Sequence, residues 1–105
     1  MFARVATYTG DVDELVREFE AARPALERIE GFLNAYFCVN RDSGKALTMT
    51  LWESAETLEA SAERAAQLRS WAVKQAGATT DSVTQYEVAV TVQKAGVPVE
   101  AWAAD

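Results

Sequence analysis

The stretch from residue 31 to residue 54, GFLNAYFCVNRDSGKALTMTLWES, leaves this chain few choices of fold. Residues 32–40 mix aromatic and β-branched side chains, and residues 46–52 alternate Leu47, Met49 and Leu51 with Thr48, Thr50 and Trp52. Alternation of that kind marks a strand, because successive side chains leave opposite faces. Between the two runs, Arg41-Asp42-Ser43-Gly44-Lys45 is polar and holds one glycine, which predicts a hairpin. Glu53-Ser54 then opens a helix, with Ser54 placed to cap it.

The rest of the chain supplies what such a hairpin packs against. Residues 2–9 read as a first strand, with Ala3, Val5 and Thr7 on one face and Arg4, Ala6 and Tyr8 on the other. Gly10 breaks the run. Asp11 follows as a cap, with Glu14 three residues on and Asp13 in the first turn of a helix over residues 12–29. Its apolar stripe is Val12, Leu15, Val16, Phe19, Ala22, Leu26 and Ile29. Pro24 removes a backbone donor and predicts a kink or restart near residues 21–23, and Gly31 is expected as the helix's C-terminal cap.

A second helix is expected over residues 55–76, ending before Gly77. Its stripe of Leu58, Ala62, Ala65, Leu68 and Ala72 is thin. Either it sits close on the sheet, or it leaves volume for a ligand. Residues 78–82 read as a polar connector and 83–93 as a last strand, with Tyr86, Val88, Val90 and Val92 on one face. Residues 1–94 then form one domain, and 95–105 a tail with apolar Val97, Pro98, Val99 and Trp102.

The order strand, helix, strand, strand, helix, strand, with right-handed crossovers, predicts an α+β, ferredoxin-like βαββαβ fold. It has a four-stranded antiparallel sheet with both helices on one side. The helix-covered face is assigned Val5, Leu33, Phe37, Leu47, Met49, Leu51 and the series from Tyr86 to Val92. The opposite face is assigned Arg4, Tyr8, Phe32, Asn34, Tyr36, Thr48, Thr50 and Trp52. That second set is too aromatic to stand in water as one patch, so a second copy is expected to cover it, with Trp52 as an anchor. Arg4 and Glu87, on neighbouring strands, are expected to form a cross-strand ion pair.

Composition narrows the chemistry. The net charge is −6 over 105 residues, which disfavours a phosphate backbone and hence nucleic acid as a partner. Histidine is absent and Cys38 is the single cysteine, so thiol–imidazole catalysis and zinc ligation both lack their donors. No loop gathers carboxylates at a calcium or magnesium spacing, and no metal is expected. No window reaches the run of apolar residues that crosses a membrane. The opening MFARVATYTG does not read as a signal peptide, and cytoplasm is the expected compartment.

These elements resemble the dimeric α+β barrel superfamily, and within it the antibiotic-biosynthesis-monooxygenase (ABM) type of domain. The resemblance rests on the Gly31-Phe32 entry, the Leu51-Trp52-Glu53-Ser54 junction, the acidic helix start at residues 56–59, and the closing Tyr86-Glu87-Val88 strand. It implies a homodimer with a ligand pocket in each subunit between helices and sheet.

Characterised members of that type oxygenate polycyclic phenols, anthrones or quinols without metal or flavin. Others degrade haem, using an Asn on the first strand with a Trp and a His on the second helix. Here the first strand has no Asn, histidine is absent, and Trp71 alone stands in for the helix tryptophan, so the haem reading loses its iron ligand. Ser61 occupies the region where many members carry a histidine early in the second helix.

The resemblance leaves two functional classes. One is a cofactor-independent monooxygenase acting on an aromatic polyketide, anthrone or quinol. The other is a non-enzymatic, dimeric small-molecule binding or stress-associated module. In either, Trp71 is the foremost pocket residue, an indole beside small alanines, with Phe37, Met49, Leu68 and Tyr86 expected around the same space. No catalytic residue is singled out.

Overall fold

The computed structural model describes residues 1–96. Val97, Pro98, Val99 and Trp102 of the tail lie outside the described residues. The element order is β1 (Phe2–Thr9), α1 (Val12–Glu27), β2 (Phe32–Asn40), β3 (Lys45–Trp52), α2 (Ala55–Ala76) and β4 (Thr79–Glu87). The strands form one antiparallel sheet in the order β2-β3-β1-β4, which is the ferredoxin-like arrangement. Both helices lie on one side of it and pack against each other.

Local chemistry sets the joints. The Asp11 carboxylate accepts from the amides of Asp13 and Glu14 at 3.1 and 3.2 Å, and so starts α1. Ser54 and Thr57 form a reciprocal capping box at the start of α2, and Gly77 ends that helix in the left-handed region. α1 runs through Pro24 as one helix and is capped by Arg28, so Gly31 has a different task from the expected one. Gly31 turns the chain into β2 at φ +83°, and a Cβ there would overlap Thr57 of α2.

Two strand assignments change. β4 begins at Thr79 rather than at residue 83 and stops at Glu87, although the valine alternation continues beyond it. Its partner runs out: Phe2 lies opposite Glu87, and the Val88 amide donates to the Met1 carbonyl as the last rung. A strand lasts as long as its ladder, whatever its propensity. In β2 the register shifts between Phe32 and Asn34, so Leu33 is an extra residue in a bulge.

The faces of β1, β3 and β4 are the reverse of the expected ones, while β2 carries Phe37 on the helix side and Asn34 and Tyr36 on the open face, as expected. Arg4, Tyr8, Thr48, Thr50 and Trp52 point to the helices, while Val5, Leu47, Met49 and Leu51 lie on the open face. Tyr86, opposite Ala3, is also on the open face, with Asn34 and Tyr36 of β2. The bulge at Leu33 switches the parity of β2, so Phe32 and Phe37 both reach the helix side although they are an odd number of residues apart.

The core forms under the helices. Tyr8, Val12, Leu15, Ala6 and Ala46 are buried together, with Phe19, Phe37 and Val73 packed against them. The rings of Tyr8, Phe19 and Phe37 meet in tilted and edge contacts, with centroids 4.7 to 6.4 Å apart. Trp52, fully buried, anchors the other end of the same layer, edge-on to Phe32 at 5.6 Å. The expected interface tryptophan is therefore a core residue of its own subunit.

Candidate functional site

The alanines of α2 decide where the layers fail to close. Leu58, Ser61 and Ala72 are buried on α2, but Ala65 is too short to reach the sheet from the helix centre. A cavity of about 670 Å³ remains between the helices and the sheet. α1 contributes Val16, Phe19 and Leu26 to its wall, α2 contributes Ala65, Leu68 and Arg69, and β2 contributes Phe32 and Phe37. β1 and β3 floor it with Arg4, Tyr8, Thr48 and Thr50. That volume and mix, mostly apolar with a few convergent polar groups, suits a small organic ligand of two or three fused rings.

The polar floor is ordered by its own bonds. The Tyr8 hydroxyl and Thr48 Oγ1 share a hydrogen bond of 2.9 Å, and the Trp52 indole donates to Thr50 Oγ1 at 2.9 Å. Arg4 is 4% exposed. Its guanidinium donates to the Leu58 carbonyl at 2.8 Å and to Ser61 Oγ at 3.2 Å, and lies 5.7 Å from the centroid of the Trp52 ring. Ser61 in turn donates to the Leu58 carbonyl at 2.7 Å. The ion pair expected between Arg4 and Glu87 does not form, because Gln85 is the residue opposite Arg4 and Arg4 points under α2.

Electrostatics follow from that burial. Desolvation, then repulsion by Arg69, lower the Arg4 guanidinium from its ordinary value, against a smaller opposing pull from Glu59. Desolvation raises the Tyr8 phenol, opposed by the bond to Thr48 and by Arg69. Tyr8 is thereby held in its neutral, hydrogen-bonding form. At the rim, Glu20 and Glu27 flank Arg23 at 3.7 and 3.2 Å. Among the described residues no group of His, Cys, Asp and Glu side chains is arranged to hold a metal ion.

A family model described as antibiotic biosynthesis monooxygenase matches residues 1–71. The chain belongs to that family. An uncharacterised protein of Mycobacterium tuberculosis is 30% identical to this ABM protein over 70 residues, which are 67% of this chain and 31% of the relative. The chain thus spans about a third of the length of the curated relatives it matches.

Two solved structures share the fold of the ABM domain. SnoaB, a cofactor-independent oxygenase from Streptomyces nogalater, superposes with a TM-score of 0.70 at 15% identity, covering 89% of this chain and 97% of SnoaB. The haem-degrader MhuD from Mycobacterium tuberculosis, solved with two haems in its active site, gives 0.67 at 23% identity, covering 89% and 100%.

The residues expected to surround a ligand separate in this ABM domain. Phe37 and Leu68 line the cavity. Met49 and Tyr86 lie across the sheet from it, 36% and 54% exposed on the open face. Trp71 is 43% exposed and is not part of the wall, because on α2 it neighbours the buried Ala72 and points off the sheet-facing stripe. Ser61, where many members carry a histidine, is committed to Arg4 and Leu58.

Arg4, Tyr8, Thr48, Thr50 and Arg69 of the ABM domain were not among the expected site residues. One signal for them existed in the sequence. Thr48, Thr50 and Trp52 on one strand, beside Arg4 and Tyr8 on another, make a row too polar for a core and too aromatic for solvent. A row of that composition suits the wall of a binding site.

Proposed function

We propose that this ABM protein is a cofactor-independent monooxygenase acting on a planar phenolic substrate of the anthrone or quinol type. The observation that carries the reading is the cavity itself, about 670 Å³ with Tyr8, Phe19, Phe32 and Phe37 in its lining, a volume that suits fused rings. Phe19 and Phe37 hold the ring system and exclude water. For an anthrone, oxygen oxidises the ring CH₂ to a carbonyl. One oxygen atom stays on that carbon, and the other leaves as water with the two hydrogens. The reaction proceeds through the substrate's enolate. Tyr8, kept protonated by burial and fixed by Thr48, donates a hydrogen bond to the developing oxyanion.

The dimer is part of the proposal. Val5, Leu47, Met49, Leu51 and Tyr86 make an apolar surface on the open face, and a second copy of the chain covers it. Light scattering at micromolar concentration is expected to give twice the chain mass. A monomer would contradict this account of the open face.

A second reading is a module that binds a ligand of the same shape and does no chemistry on it. The cavity favours it in one respect: its carboxylates, Glu20 and Glu27, sit at the rim beside Arg23, and among the described residues no carboxylate stands at the floor. Dissolved-oxygen uptake by metal-free protein with an anthrone and a naphthohydroquinone separates the two. Uptake above the buffer rate, lost in a Leu68→Trp variant that fills the cavity, supports the oxygenase. No uptake from folded wild type supports the binding module.

A further inference from the structure

Arg4 and Arg69 both line the cavity, and neither has an ion-pair partner among the described residues. For Arg4 this is costly, since a buried cation without a countercharge loses its hydration and gains only dipoles in return. The acceptors it has, the Leu58 carbonyl, the Ser61 hydroxyl and the Trp52 ring, are all neutral. Two of its N–H groups are used by those oxygens, and the others have no acceptor among the described residues.

Arg69, half-buried on α2, adds a second like charge to the same cavity. Arg69 stands in the wall of the cavity whose floor holds Arg4 and Tyr8, and its charge repels the Arg4 guanidinium. The nearby carboxylates do not restore balance. Glu20 and Glu27 are engaged with Arg23 at the mouth, and Glu59 is exposed. In a protein of net charge −6, two guanidinium groups without ion-pair partners among the described residues in the lining of one cavity are a local inversion of the surface field.

We infer that the ligand is an aromatic carboxylate, its fused rings against Phe19 and Phe37 and its carboxylate bound by Arg4 and Arg69. The inference rests on the reading of the cavity as an aromatic-ligand site. It narrows that site to an anionic class. An arginine pair can take the two carboxylate oxygens in charge-assisted bonds, and a low local dielectric strengthens each. The carboxylate in turn supplies the countercharge that Arg4 lacks.

Isothermal titration with 2-naphthoate and its neutral analogue 2-naphthamide tests this on the intact protein. Wild type is expected to bind the carboxylate at least about tenfold more tightly, with affinity falling as salt rises. Arg69→Gln is expected to abolish the preference, bringing 2-naphthoate affinity down to that of 2-naphthamide in the same variant. Equal affinity for the two probes in wild type overturns the anionic class while leaving an aromatic cavity in place. Binding of neither overturns the cavity reading and this inference together. A tenfold preference that survives in folded Arg69→Gln overturns the arginine pair. The wild-type comparison stands even if a variant fails to fold.

Discussion

On β3, Thr48, Thr50 and Trp52 face the helices while Leu47, Met49 and Leu51 face outward, and the two rows differ in kind. The inward row is made of side chains with both a polar atom and a defined direction, each tied to a neighbour: Thr48 to Tyr8, and Trp52 to Thr50. The outward row is aliphatic, continuous with Val5 and close to Tyr86, and offers area without direction. Direction is what a ligand site needs, since its polar groups must converge on one position. Area is what association needs, because apolar burial is proportional to surface and indifferent to angle.

The contrast can be broken at Trp52 first. Trp52→Ala removes the largest fully buried side chain, the platform under Arg4 and the partner of Phe32. A loss of about 3–5 kcal/mol in urea unfolding is expected. A loss under about 1 kcal/mol would mean that the inward row is not the core.

Met49→Glu probes the other row. The substitution puts a charge on the open face without touching the cavity, so the expected result is a monomer by light scattering with 2-naphthamide affinity retained. Its neighbour sharpens the point. Thr48→Val breaks the bond to Tyr8 and is expected to cost about 1 kcal/mol with no change in mass.

Gly31 sits at the joint just ahead of the bulge that decides which face β2 presents. Gly31→Ala places a Cβ at φ +83° and into Thr57, and at least about 1–2 kcal/mol of destabilisation is expected from the backbone alone. Asn at this position, which tolerates the left-handed region better, would relieve the backbone part and not the overlap.

The smallest expected effect concerns pH. The Tyr8 phenol is raised in the folded protein, so the unfolded chain releases its proton first as pH climbs. Stability from this residue is therefore complete below about pH 10, the unfolded value, and falls as pH rises toward the folded one. The wild-type urea midpoint should decline more steeply above pH 10 than that of Tyr8→Phe. Parallel curves would show that Tyr8 is not held neutral by burial.

Much of this architecture was legible in the residues. The bounds of α2, from Ser54 as cap to Gly77 as stop, and the hairpin around Gly44 follow from cap and turn chemistry, which acts within a few residues. What was not legible was long-range. The more apolar row was assigned to the helices, because alternation reveals two faces without saying which is which. Here the fold sets the polar row inward around Arg4 and Tyr8. The parity switch at Leu33 depends on β3's register, and the end of β4 on where β1 begins. Of the residues expected around a pocket beside Trp71, Phe37 and Leu68 line the cavity, while Met49, Trp71 and Tyr86 do not. Arg4 reads with its row as part of a face covered by a second copy, and Arg69 carries no signature, since a lone arginine on a helix reads as solvent-facing.

The open face also carries Cys38, opposite Leu47 and exposed. A thiol there is shielded whenever a second copy lies over the sheet and free whenever it does not. The rate at which Cys38 is alkylated at a series of protein concentrations would therefore trace the dissociation curve of the proposed dimer, with no residue changed. For the proposed dimer, Cys38 is a built-in gauge of assembly.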